Sequence, residues 1–307
     1  MQTKTISKSK TKTLFSPGHR ACAGCGQAIA AKTVVEALGP NTIIANATGC
    51  LEVTTTPYPE SAWGMPWIHS LFENPSAIAS GILAALKQKN SLSRKGRAGE
   101  GIKVVAQGGD GSTFDIGFGL ISGMWERGEN ILYVCYDNEA YMNTGIQASG
   151  STPPSAHTTT TPAGSASLGS TQMKKNMIDI ALAHKLPYVA QTTTGFLADI
   201  KTKIQKAVEI EGPAYVQILS PCIPGWKIKP DVAIKIGKIA SQTGIYPVME
   251  YENGKLTSSI KTPSPRPKVD EYLKMQGRFK HLFKSKQGLE KIKEIQRLAD
   301  ENVEKYG

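Results

Sequence analysis

The sequence contains no apolar run that approaches the roughly 20 residues a membrane-spanning helix needs. Its first stretch, MQTKTISKSKTKTLF, has lysines but lacks the apolar core of an export signal, so a cytoplasmic location is expected. Zinc-finger spacing, an aromatic-basic RNA motif and a basic-region heptad are all missing, which counts against nucleic acid as a partner. No segment repeats at a fixed period. Cysteines number only five, and two of them form a C-x-x-C pair, Cys22 and Cys25. In the cytosol such a pair points to metal or redox chemistry rather than to structural disulfides.

What is present is an ordinary globular composition on 307 residues, enough for one large domain or two small ones. The formal net charge of +11 raises encounter rates with acidic molecules, such as phosphorylated cofactors or an acidic protein. Much of the excess lies in 261–307, for example KMQGRFKHLFKSK. There it suits a solvated helix face or, more sharply, a dock for an electron carrier.

Helical spacing marks GQAIAAKTVVEALG, which stops at Gly39, and ENPSAIASGILAALKQK over 73–89. Short apolar runs mark strands at TIIAN (42–46), IKVVAQ (102–107) and ILYVCY (131–136), with 48–70 between the first two expected as loop. FDIGFGLISGMWERG, ending at Gly128, is the helix of a strand, helix, strand crossover. The stretch 144–172 is rich in Ser, Thr, Pro and Gly and too long for a plain connector, so it is expected to cover an active site. KKNMIDIALAHK, PYVAQT, FLADIKTKIQKAVEI and AYVQIL continue the alternation, PCIPGW (221–226) is expected to end the sheet, and helical segments follow at 231–241 and from 269. The fold class that follows is α/β, a doubly wound and mostly parallel sheet. Its expected divisions are an arm over 1–18, the α/β domain over 19–226 and a C-terminal extension over 227–307 for subunit contacts.

Ligands of open parallel sheets sit at the carboxyl ends of strands. Asp110 follows one predicted strand in GGDGST and Asn138 follows the next, so both side chains should reach one edge. A hard dication such as Mg²⁺ takes one or two oxygen ligands of this kind plus phosphate and water. Gly108, Gly109 and Gly111 would let backbone approach a diphosphate, and Ser112 and Thr113 would add hydroxyls at a helix start. A GDG turn alone often just caps a helix; the matched Asn138 strengthens the metal-diphosphate reading.

Cys50 and Cys222 both stand in loops just after predicted strands. With Cys22 and Cys25 they make four loop thiols that could hold a structural zinc or an iron–sulfur cluster, a choice the spacing leaves open. Cys135 lies inside ILYVCY and is expected to be a buried, inert thiol.

GDG followed by Asn138 is similar to the thiamine diphosphate signature. YDNEAYMNTGIQ, GHRACAGCGQA, NATGCLEVTTTPYP, WIHSLFENPSAIASG, the threonine-rich HTTTTP and EYLKMQGRFKHLF together resemble the β subunit of the 2-oxoacid:ferredoxin oxidoreductases. Nearly the whole chain takes part, and the likeness is closest to the pyruvate:ferredoxin type, with the oxalate oxidoreductase β subunit also similar.

That resemblance implies thiamine diphosphate, Mg²⁺ and one four-iron, four-sulfur cluster held by Cys22, Cys25, Cys50 and Cys222. Asp110, Asn138 and the Ala140 carbonyl would hold the Mg²⁺. Asn143 would sit beside the reacting carbons as the catalytic residue, with a turn asparagine that makes a local backbone bond as the alternative. The expected cofactor contacts also include Gln27, Thr48, Gly49, Glu52, His69, Gly109, Gly111, Ser112, Thr113, Tyr141, Met142 and Thr144. Many relatives carry Glu at the position of Gln27. His19, His157, His184 and His281 show no convergent pattern.

The implied reaction is oxidative decarboxylation of pyruvate with coenzyme A, electrons passing through the cluster to ferredoxin. Oxalate without coenzyme A, or branched-chain 2-oxoacids, are the alternatives within the family. Other subunits would supply the activating glutamate, the substrate-binding residues and further clusters, so the chain should be one part of a hetero-oligomer, with no nucleic acid and no membrane. Two readings from other classes stand beside it: a non-redox thiamine-dependent decarboxylase or carboligase, and a zinc-stapled binding subunit.

Overall fold

The computed structural model describes residues 13–57, 59–92 and 101–307; the expected arm lies outside these up to residue 12. The strands are β1 (Thr42–Asn46), β2 (Trp67–His69), β3 (Lys103–Gly109), β4 (Leu132–Asp137), β5 (Tyr188–Thr193), β6 (Ala214–Leu219), β7 (Met249–Glu252) and β8 (Lys255–Ser259). They form one sheet in the order β2-β1-β3-β4-β6-β5-β7-β8. β1 to β6 are parallel throughout, and the β7–β8 hairpin adds antiparallel to the edge at β5.

Helices are α1 (Gly26–Leu38), α2 (Cys50–Thr55), α3 (Pro75–Leu92), α4 (Phe118–Glu126) and α5 (Met177–Ala183). They continue as α6 (Leu197–Glu209), α7 (Ile223–Trp226), α8 (Ala233–Gln242), α9 (Val269–Lys274) and α10 (Lys286–Tyr306). The strand alternation decides which helices lie where. Val105, Leu132, Val134 and Tyr136 face one side, where they pack on α1 and α6 through Ala30, Val34, Ile200 and Ile204. Val104, Ala106, Tyr133 and Cys135 face the other, against Ala79, Ile121, Met124 and Ile178 of α3, α4 and α5. Both faces are covered, which is why β4, β5 and β6 are buried at every residue. The sheet is therefore doubly wound and mostly parallel, as expected.

A third apolar cluster joins α8, α9 and α10 to Trp226 and Leu219. Along α10, Lys291 pairs with Glu294 and Lys293 with Glu290, so part of the basic tail is a solvated helix face with its charges matched locally. No helix among the described residues is long and apolar enough to cross a membrane.

Three local expectations need correction. The stretch 48–70 is not all loop: it contains α2 and the edge strand β2. Threonines, weak helix formers, end and cap α2, where Thr54, Thr55 and Thr56 donate their hydroxyls back to the carbonyls of Cys50, Leu51 and Glu52. The helix read from 114 begins earlier and in another form, with a π-helical turn over Gly111–Ile116 before α4, a feature concentrated at functional sites. PCIPGW does not end the sheet but forms α7, and β7 and β8 extend the sheet beyond it. The stretch 144–172 has no helix or strand, yet Ser151, Thr152 and Ala156 are buried within it.

Candidate functional site

At the carboxyl ends of β1, β3 and β4 the segments 47–51, 108–111 and 138–144 meet around a cleft. Gln27, Thr48, Gly49, Cys50, Gly109, Asp110, Gly111, Asn138, Ala140, Tyr141, Met142, Asn143 and Thr144 line it, so most of the expected residues are brought together. Glu52 and His69 do not line it; their side chains face each other at 3.7 Å. Ser112 and Thr113 also turn inward. Thr113 donates to the Gly109 carbonyl at 2.8 Å and lies 3.2 Å from the Tyr133 hydroxyl, and Ser112 is fully buried. Their side chains are committed to the interior, because the π-helical turn rotates them away from the opening.

Gly108, expected at a diphosphate, lines it as well, and the cleft has walls that were not anticipated: Asn46, Ala47, Leu51 and Phe72. Asn46 carried a signal, a polar residue ending the apolar strand TIIAN. Its Oδ1 accepts from Gln107 Nε2 at 2.7 Å, and Gln107 Oε1 accepts from the Tyr136 hydroxyl at 2.9 Å, a buried relay across three strands. Phe72 carried none; it reaches the cleft because its ring packs 5.7 Å from that of Tyr141. Gly111 is forced by that same tyrosine, since a Cβ there would lie 2.2 Å from the Tyr141 ring.

Asp110 is buried at the start of the π-helical turn. Its Oδ1 accepts from the Asn138 N–H at 3.2 Å and its Oδ2 from the Ser149 hydroxyl at 2.5 Å. One terminal atom of the Asn138 amide lies 2.9 Å from Asp110 Oδ1 and 2.7 Å from the Ala140 carbonyl oxygen. With nitrogen in that place the amide donates to both. A bound cation would turn the amide oxygen that way instead, and a set of one carboxylate, one amide and one carbonyl oxygen suits a hard dication. Burial, then the neighbouring Asp137, pushes the Asp110 carboxyl well above the ordinary range. A bound dication would remove that penalty, so the residues present fit Mg²⁺.

Behind this point lies a buried charge network. Lys174 Nζ donates to Asp137 Oδ2 at 2.6 Å and Glu139 Oε1 at 2.9 Å, and Arg278 Nη2 donates to Glu139 Oε2 at 2.5 Å. Burial raises Asp137 and Lys174 offsets it only in part. For Glu139, burial is outweighed by Lys174 and Arg278, which hold its carboxyl below the ordinary range. The stretch 144–172 braces this network rather than covering the cleft. Ser151 donates to Asp137 at 2.6 Å and Thr152 to the Glu139 carbonyl at 2.9 Å, and no residue beyond Thr144 lines the opening.

The cysteines come from three segments. The loop before α1 docks on the loop after β6: the Gly26 N–H donates to the Pro221 carbonyl at 3.1 Å, and a Cβ at Gly26 would meet Pro221 backbone at 2.6 Å. That contact brings Cys22 and Cys25 toward Cys222, while Cys50 opens α2 at the cleft wall. Burial, then Cys222 and Cys25, pushes the Cys50 thiol up to about 12. Burial likewise raises Cys222 to about 12, with Cys25 and Cys22 adding to it. The four thiols thus feel one another, yet no three His, Cys, Asp or Glu side chains among the described residues are set to share a single metal ion. Cys135 is buried in β4, away from the other thiols' loops.

Residues 47–218 match the family described as thiamine pyrophosphate enzyme, C-terminal TPP binding domain. The chain is 52% identical over 301 residues to pyruvate synthase subunit PorB of Methanosarcina barkeri, covering 98% of this chain and 99% of that one. The chain belongs to the thiamine pyrophosphate enzyme family that includes these PorB subunits. The Methanocaldococcus jannaschii PorB is also 52% identical, over 95% of this chain and 96% of that one. Among solved structures, 2-oxoglutarate:ferredoxin oxidoreductase from Magnetococcus marinus, with 2-oxoglutarate, coenzyme A and succinyl-CoA bound, superposes with a TM-score of 0.56. It is 24% identical and covers 76% of this chain and 82% of that one, a likeness of fold.

Proposed function

We propose that the chain is the thiamine-diphosphate-binding subunit of a cytoplasmic, coenzyme-A-linked pyruvate:ferredoxin oxidoreductase. The observation that carries this reading is a shared wall. The oxygen corner of Asp110, Asn138 and Ala140 and the thiol Cys50 border the same cleft. Met142 closes the distance further, since a Cβ at Gly225 would lie 2.1 Å from the Met142 sulfur and 3.3 Å from that of Cys222.

In this reading Asp110, Asn138 and the Ala140 carbonyl hold Mg²⁺ and, through it, the diphosphate. Gly109 and Gly111 let backbone come close. Thiamine diphosphate, when bound, supplies a carbon nucleophile and an electron sink for decarboxylation of a 2-oxoacid. Asn143 orients the substrate carbonyl from the rim. Gln27 presents an amide, which exchanges hydrogen bonds but no proton at neutral pH, so proton movement falls to a partner's group. Cys22, Cys25, Cys50 and Cys222 hold a 4Fe-4S cluster. A single zinc would satisfy the same four thiols but would leave the cleft without an electron acceptor. A non-redox decarboxylase has no use for the thiols. Further subunits complete the enzyme, and ferredoxin and coenzyme A are its electron and acyl acceptors. In this organisation 19–226 binds the cofactors and 227–307 serves subunit contacts.

The test is anaerobic co-purification with the partner subunits, followed by thiamine, iron and magnesium analysis and a viologen assay across 2-oxoacids. A brown complex that reduces viologen with pyruvate only when coenzyme A is present is the expected result. A colourless zinc protein contradicts the reading, and reduction by oxalate or branched-chain 2-oxoacids but not pyruvate overturns the substrate.

A further inference from the structure

Glu139 sits between two of the cation-site donors, Asn138 and Ala140, and its φ of 67° is left-handed, a conformation that non-glycine residues rarely adopt. That reversal brings the Ala140 carbonyl back to within 2.7 Å of the Asn138 amide. Such a residue persists only where its surroundings over-determine it. Two cations grip its carboxylate, Lys174 on one oxygen and Arg278 on the other.

Arg278 comes from the C-terminal extension, in the 3₁₀ turn Gly277–Lys284, and is 2% exposed. Its guanidinium carbon lies 3.9 Å from the centroid of the Trp226 ring. Trp226 in turn donates its indole N–H to the Asn138 carbonyl at 2.8 Å. The guanidinium is itself fixed, since its Nε donates to Gln276 Oε1 at 2.9 Å, and the Arg278 carbonyl accepts from the His157 N–H at 3.0 Å. Phe279 and Leu282, buried in the third apolar cluster with Trp226, anchor the turn.

We propose that Arg278 is a positioning residue for the cation site, clamping the Asn138–Ala140 segment through Glu139 on one side and Trp226 on the other. The proposal rests on the reading that this corner binds a divalent cation with thiamine diphosphate. Its sign separates it from a field effect. A positive charge near a cation site repels the cation, so if Arg278 acted through its charge, removing it would tighten metal binding. If it acts by holding the loop, removing it loosens metal binding. Planarity matters as well, because a lysine restores the charge on Glu139 but not the stack on Trp226.

The experiment uses the assembled holoenzyme with its partner subunits, stripped of metal and cofactor and titrated with Mn²⁺ at saturating thiamine diphosphate, free Mn²⁺ being read by electron paramagnetic resonance. Arg278→Gln should weaken Mn²⁺ binding roughly 10- to 100-fold, the range seen when groups that orient metal ligands are lost. Arg278→Lys should recover part of the loss, and Trp226→Phe, which removes one hydrogen bond, should give a smaller drop. Amide exchange across 138–144 in the metal-free complex should quicken in Arg278→Gln while iron content holds. Unchanged or tighter Mn²⁺ binding in an assembled Arg278→Gln complex overturns the proposal. If that variant fails to assemble, unchanged binding in Trp226→Phe overturns it. Wild-type complex that takes up no Mn²⁺ with thiamine diphosphate defeats the underlying reading instead.

Discussion

The two corners of the cleft are built in opposite ways. The oxygen corner is organised by the protein itself: Asp110 takes hydrogen bonds from Asn138 and Ser149, and the acids on either side of Asn138 are paired with Lys174 and Arg278. The thiol corner is held by backbone alone, Cys25 by the amides of Gln27 and Ala28 and Cys222 by that of Gly225, with no charged hydrogen-bond partner among the described residues. Burial and mutual proximity push the Cys50 and Cys222 thiols up to about 12, so they stay protonated until something binds them. A metal that ligates a thiol deprotonates it outright. The lesson is that one half of the cleft is preformed and the other is completed by what it receives.

The largest effects should fall on whichever corner is altered and spare the other. Asp110→Ala should abolish retention of thiamine diphosphate and magnesium while iron stays near the wild-type level; loss of iron on metal analysis would merge the two corners. Cys222→Ser should lower iron content with thiamine diphosphate still bound, whereas Cys135→Ser, in the interior of β4, should leave iron unchanged. A smaller change is expected for Ser149→Ala, which removes one hydrogen bond to the Asp110 carboxylate. Hydrogen bonds to charged groups contribute roughly 1.5–3 kcal/mol, so the metal-free complex should lose no more than that in denaturant unfolding and Mn²⁺ affinity should fall modestly. An effect on iron from Ser149→Ala would break the comparison.

The parallel strands and α1 were legible because apolar runs and helical spacing report burial directly. The Asp110–Asn138 pair was legible for a related reason: consecutive parallel strands deliver the residues after them to one edge. The supporting network was not. Arg278 stands in KMQGRFKHLFKSK as one more cation of a basic tail, and only the return of the extension onto Trp226 buries it. Lys174 was equally silent, since the stretch before it looks like a cover for the cleft and is in fact its brace. Glu52, His69, Ser112 and Thr113 were placed at the cleft by their neighbourhood in sequence; Glu52 on α2 faces His69 on the edge strand β2 instead, and Ser112 and Thr113 are buried in the π-helical turn. The four cysteines could be listed from the sequence, but their approach depends on the docking of Gly26 against Pro221, a contact between residues far apart in the chain.

The central claim is that two separately built corners act on one substrate. It is tested most directly by adding pyruvate and coenzyme A, without ferredoxin, to the anaerobic complex and following the cluster by electron paramagnetic resonance. Wild-type complex should show the reduced cluster with pyruvate, and the Asp110→Ala complex should show it only with dithionite. A cluster reduced by pyruvate in Asp110→Ala, or one that pyruvate never reduces in the intact enzyme, would contradict the account.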